Sequence, residues 1–322
     1  MSRILQPFAA LAQLTALENL RQPITLLLMT AGVAGMTLLP LVTSNTLGES
    51  AKMIADGALA FHFFFGLLLA GVVACQSISG EIRRGTAATV LSKPVGREVF
   101  LLAKFAGVAI VMLLFSAVST LASVLAARAA AEAFTVDWWA AGPLAAAVVL
   151  AYAGAGLLNF LTRRPFSADA AALLLAAVAG AFALSGFLGL KGEWTAFGAN
   201  FDWKILPVNA LIAMALLVLA ALALALATRL EVVPTISICS VLFLAGLMSD
   251  YLFGRNAAQH PAAAFLYAVL PNWQHFWIVD ALNADEPVPA RYLAAAAGYA
   301  LLYLIGILLL GIVSFRHKEV KS

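Results

Sequence analysis

The chain has 322 residues, 63% of them hydrophobic and 11% charged, against about 45–50% apolar and about 25% charged in soluble proteins. That composition excludes a soluble globular domain, and a net charge of +3 is too small to point to nucleic acid. Two cysteines, Cys75 and Cys239, are weak grounds for a disulfide and none for a metal centre.

Eight windows contain no Asp, Glu, Lys or Arg: 24–43, 58–78, 105–127, 138–162, 170–190, 205–228, 232–249 and 292–315. They make up more than half of the chain and hold none of its charges. A membrane-spanning helix needs about 17–25 apolar residues, because lipid offers backbone polar groups no partners and a helix satisfies them internally. The windows therefore predict an all-α polytopic membrane protein with about eight transmembrane helices. The longest connection, 250–291, has 42 residues, too short to add an independent soluble domain.

Lys and Arg are in excess in cytoplasmic loops, and this bias sets orientation. With the N-terminus inside, thirteen of the nineteen basic residues are cytoplasmic. They are Arg3, Arg21, Arg83, Arg84, Lys93, Arg97, Lys104, Arg163, Arg164, Arg229, Arg316, Lys318 and Lys321. Both termini are thus expected in the cytoplasm, with the protein integral to a bacterial inner membrane. The expected organisation is a cytoplasmic N-terminal interfacial helix over 1–22, a transmembrane domain over 23–316 with an extracytoplasmic segment over 250–291, and a cytoplasmic tail over 317–322.

Residues 4–20 read as a helix whose apolar positions spread around the wheel. Such a helix either lies on the cytoplasmic face or packs against the bundle. The apolar run after Arg21 has no small-residue cleavage site behind it, which argues for a retained span. The deep polar residues of the spans are few: His62, Gln76, Ser77, Tyr152, Asn159, Asn209 and several hydroxyls. Hydrogen bonding to neighbouring helices accounts for such groups by default.

The loop after the second span, 80–98, concentrates charge and turn-forming residues. Thr86 can cap a short helix, Lys93 sits where the negative helix end favours a cation, and Pro94 stops its continuation. Val90 and Leu91 form an apolar element among charges, either a contact for a cytoplasmic partner or part of a basic loop held by anionic lipid. Further on, Leu161-Thr162-Arg163-Arg164 and Ala227-Thr228-Arg229-Leu230 each end a long span and precede another. Each reads as a tight cytoplasmic hairpin.

A ninth charge-free window, 257–279, contains His260, Pro261, Pro271, Asn272, Gln274 and His275. It reads as an interfacial or re-entrant segment, with Trp273, Phe276 and Trp277 as anchors at headgroup level. No catalytic signature is present: HExxH, GxSxG, GxxxxGK[ST] and CxxC are all missing, and His62, His260, His275 and His317 have no ligand spacing. The sequence assigns no catalytic and no metal-binding residue.

Glu81, the Gly85-Thr86 pair and the run Leu91-Ser92-Lys93-Pro94-Val95-Gly96-Arg97 resemble the coupling region of ABC-transporter permeases of the type-2 exporter branch. Asn19-Leu20-Arg21-Gln22-Pro23-Ile24, Leu270-Pro271-Asn272 and Phe315-Arg316-His317-Lys318-Glu319 extend the resemblance from residue 19 to 319. It implies a membrane subunit that pairs with a second permease copy or paralogue and a cytoplasmic ABC ATPase subunit. ATP and Mg would be held by that ATPase and no cofactor by this chain. The coupling loop would dock on the ATPase through Glu81, Arg83, Arg84, Gly85, Thr86, Val90, Leu91, Lys93, Pro94 and Arg97. The usual member has six spans, so one hairpin here, 138–190 or 205–249, is additional. The rival reading is a membrane assembly or scaffold factor, with a lipid-modifying enzyme a distant third.

Overall fold

The structure, a computed structural model, describes residues 2–42, 50–83, 96–130, 135–278 and 288–316. The long helices are α1 (Ser2–Leu20), α2 (Pro23–Val42), α3 (Ser50–Arg83), α4 (Arg97–Ala129), α5 (Trp138–Thr162), α6 (Phe166–Phe187), α7 (Ile205–Ala227) and α8 (Val232–Leu247). Short α9 (Ser249–Leu252) and α10 (Pro261–Val269) follow, and α11 (Ala290–Arg316) closes the chain. Seven of these helices are long and apolar enough to cross a membrane, and α8 with its continuation to Asn256, bent by 67°, makes an eighth if the pair is one crossing. The chain is an all-α polytopic membrane protein.

The charge-free windows mark the helices but understate two of them. At about 1.5 Å per residue, α3 and α4 run on the order of 50 Å, well beyond a hydrocarbon core of about 30 Å. The window 232–249 is interrupted at Met248, where the chain turns.

Side-chain contacts fix the directions. His62 of α3 bonds Asn209 of α7 and Gly66 lies against Leu216, so these helices run the same way. Phe63 packs on Phe243 at 4.3 Å and Gly71 lies against Ile236, so α8 runs opposite to α3. Glycine at 66 and 71 permits the approach, since an added Cβ at either would strike the facing Leu216 or Ile236 side chain. The core is built from α2, α3, α4 and α7, with α8 and α11 against it; the α5–α6 hairpin packs on α2 and α4.

One face of the bundle collects the helix ends that carry the basic residues. There Asn19 Nδ2 donates to Ser77 Oγ at 2.9 Å, Ser167 Oγ donates to the Arg21 carbonyl at 2.5 Å, and Arg229 Nη2 donates to the Ser314 carbonyl at 2.8 Å. The two hairpins predicted from the Thr-Arg repeats both turn on this face. In the first, Arg163 adopts φ 56° and its N–H bonds the Asn159 carbonyl, a left-handed helix stop.

α1 packs against the bundle, chiefly on α4. Ala12, Thr15, Ala16 and Asn19 are buried in the bundle, whereas Leu5, Leu14 and Leu17 are exposed.

Candidate functional site

The predicted coupling loop joins the last turn of α3 to the first turn of α4. Arg84, Gly85, Thr86, Val90, Leu91, Lys93 and Pro94 lie outside the described residues, as does the proposed short helix. Glu81 and Arg83 belong to the final turn of α3. Arg97 is exposed and opens α4, after Gly96 in extended conformation.

The root of the loop is tied to distant helices. Phe100 stacks on Phe315 with ring centroids 5.8 Å apart, and both rings are buried. Lys104, fully buried, holds its ammonium 5.6 Å from the Phe100 ring. Leu101 and Ala225 both border Gly311. The first turns of α4 therefore meet the last turn of α11 and the end of α7.

Three stretches that carry the family resemblance prove to be packing anchors. Asn19 donates to the Thr15 carbonyl and to Ser77, joining α1 to α3, and Pro23 occupies the first position of α2, where its missing N–H is harmless. Phe315 clamps α11 to α4. Asn272 accepts from the Gln274 N–H, donates through Nδ2 to Asp250 and through its backbone N–H to Tyr299.

Residues 254–278 hold no helix of spanning length and fold back against the N-terminal half of α11. α10 has nine residues, too few to cross. Its end reaches Tyr303, whose hydroxyl lies 3.1 Å from the Ala268 carbonyl and 3.3 Å from that of Leu270. Tyr303 is thirteen residues into α11, about 20 Å along its axis, so the segment dips to half the depth of the bundle. Trp273 and Phe276, expected at headgroup level, are instead 1% and 2% exposed. The Trp273 indole faces the Leu242 carbonyl, and Phe276 lies against Trp273 and Tyr299. Trp277 alone of the three keeps substantial exposure, with its ring against Phe63. On the outer side Asp250 accepts from the Tyr267 hydroxyl at 2.7 Å, and that hydrogen bond raises the hydroxyl above its ordinary pKa.

The deep polar residues behave mainly as helix–helix bonds. Tyr152 meets Thr30 at 2.8 Å, joining α5 to α2. Asn159 Nδ2 donates to the Arg164 carbonyl at 2.5 Å. His62 Nδ1 and Asn209 Oδ1 are 2.8 Å apart, and Asn209 Nδ2 donates to Ser123 Oγ at 2.9 Å, so one chain of bonds joins α3, α7 and α4. Among the described residues nothing hydrogen-bonds His62 Nε2 or the hydroxyls of Ser116 and Ser119.

Two buried charges were not singled out by the sequence. Lys104 falls one residue before a charge-free window, and Arg128 one residue after the same window; only packing shows that both are enclosed. Neither cysteine is in a disulfide and both are buried. Among the described residues no group of three or more His, Cys, Asp or Glu side chains is placed to hold a metal ion.

Residues 15–160 match the family described as ABC-2 family transporter protein. No curated protein matches the chain. The match runs from the last turns of α1 to the last turn of α5 and includes the whole 80–98 connection; over these residues, somewhat under half of the chain, the protein is similar to the membrane subunits of that family.

Proposed function

We propose that the chain couples ATP hydrolysis on a separate cytoplasmic ATPase subunit, which holds ATP and Mg, to outward movement of a substrate, working beside a second permease copy or paralogue. The observation that carries this reading is the rooting of the 80–98 loop. Its two legs are α3 and α4, each about 50 Å long, and the first turns of α4 pack on the ends of α7 and α11 through Leu101 and Phe100. Force applied between Arg83 and Arg97 is thereby delivered to four helices at once. Packed interfaces respond to such force by switching between discrete arrangements.

Val90 and Leu91 are the apolar anchors proposed to enter the ATPase, with Glu81, Arg83, Arg84, Lys93 and Arg97 at the polar rim. Truncating a buried interface anchor commonly costs about 2 kcal/mol or more, while rim charges mainly set association rate and salt dependence. Leu91→Asp is expected to lose the co-purifying ATPase and transport-linked hydrolysis while the permease still inserts; Arg83→Ala is expected to retain both. A loop held only by anionic lipid gives the reverse order, because each basic residue near such a surface contributes about 1 kcal/mol. Undiminished complex and activity in Leu91→Asp would overturn the assignment.

A further inference from the structure

The half-depth re-entrant segment creates an overhang. Ala268 and Val269 form its underside, and beyond them the face of α11 turned away from α4 and α7 continues uncovered toward the basic face. A cavity of about 600 Å³ opens there, walled by Leu302, Gly306, Leu310 and Val313. The walls are apolar and open: Leu302 and Leu310 are each 71% exposed. Tyr303, the one lining residue with a polar side chain, turns its hydroxyl to the carbonyls of the overhang. A Cβ added at Gly306 would meet nothing within 4 Å.

The dimensions identify what fits. From Leu302 to Val313 the groove runs about 17 Å, close to half of a hydrocarbon core of about 30 Å. Tyr303 lies at the centre of the charge-free stretch 292–315, which sets the roof at the bilayer midplane. The open end lies beside Ser314, where the exposed Arg229 guanidinium is bonded. A neighbouring spanning helix entering the groove would run into the re-entrant segment at mid-depth. An acyl chain of one leaflet ends there.

We propose that this groove holds one acyl chain of an anionic phospholipid from the leaflet on the basic face, with Arg229 beside its headgroup. Bound there, the chain supports the re-entrant segment from below and links its position to the lipid of that leaflet.

The test uses the full-length protein in phosphatidylcholine vesicles containing a phosphatidylglycerol whose acyl chain ends in a photoreactive diazirine. Label is expected on Val269 and along Leu302–Val313. Gly306→Trp, which fills open space, is expected to reduce that label severalfold without altering label at Leu150 on the exposed face of α5; Leu310→Trp is a second filling variant. Arg229→Gln is expected to abolish the preference for labelled phosphatidylglycerol over an equivalent labelled phosphatidylcholine. Equal labelling of α5 and α11 that neither filling variant changes would mean ordinary boundary lipid and overturn the proposal. Disulfide cross-linking of two Gly306→Cys chains would overturn it in favour of a second copy of this protein.

Discussion

Arg128 is a charged side chain enclosed by protein at the end of α4 opposite the basic face, 2% exposed. Its Nε donates to Asp137 Oδ2 at 2.9 Å, and its Nη2 donates to the Leu188 carbonyl at 2.7 Å. Its Nη1 donates to the Ser185 carbonyl, and the guanidinium lies 5.6 Å from the Phe201 ring. One side chain thus ties together α4, the cap of α5 and the end of α6. Removing one partner of a buried ion pair commonly costs about 3–5 kcal/mol, whereas replacing both with apolar groups is often nearly neutral. Asp137→Asn keeps a side chain that can cap α5 but leaves the guanidinium without its counter-charge. It is expected to lower the thermal unfolding midpoint in detergent clearly, and Arg128→Met with Asp137→Asn to recover part of the loss; a double variant no more stable than the single would show that the charges are not coupled. The pair was invisible in the sequence because two of the acceptors are backbone carbonyls 57 and 60 residues away. By contrast, the bonding of His62, Ser77 and Tyr152 was legible in kind, since a polar group in lipid must find a partner, although the particular partners were not.

At the scale of elements, the close approach of α1 to α4 rests on Gly107. An added Cβ there would lie 2.6 Å from Thr15 Cβ and 2.7 Å from the Ala12 carbonyl oxygen, and the backbone oxygen cannot rotate away. Gly107→Leu is therefore expected to lift α1 from the bundle. In a background lacking Cys75 and Cys239, Thr15→Cys, buried at present, should pass from protected to reactive toward a thiol reagent when Gly107→Leu is added. Continued protection would mean that the Asn19–Ser77 bond holds α1 unaided. The existence of α2 to α7 and α11 was readable because charges cannot sit at depth, so charge-free windows coincide with spans. The ends of helices were less readable: nothing excludes charges from the parts of α3 and α4 beyond the lipid, and Gly246, two residues before the break at Met248, is of a type too frequent within spans to mark a bend. The depth of the re-entrant segment was unreadable for the same reason as the Arg128 clasp. Tyr299 and Tyr303 hold it by backbone groups of residues 268–272, which no side-chain pattern announces.

In the whole molecule, packing separates the two hairpins that the sequence left equivalent. α7 is central, touching α3, α4, α8 and α11, whereas α5 and α6 lie at the periphery against α2 and α4. The contacts among α2, α3, α4 and α7 do not depend on the hairpin 138–190, although its first helix, α5, lies within the residues that match the family. The same packing makes orientation a single question, because Arg21, Arg97, Arg163, Arg164 and Arg229 all lie at helix ends on one face. The excess of basic residues there predicts that this face is cytoplasmic. Single cysteines replacing Arg84, Arg164 and Lys318, in a background lacking Cys75 and Cys239, are expected to resist an impermeant thiol reagent applied to intact cells. Cysteines replacing Asp285 and Trp194 are expected to react; Trp194 is 78% exposed in the connection between α6 and α7 on the opposite face. The outcomes are not independent, since the helices are registered against one another. Reaction at Arg164 with protection at Trp194 would invert the whole bundle, whereas reaction at Lys318 alone would mean that the chain from α8 to α11 crosses the membrane once more or once less than the described contacts require.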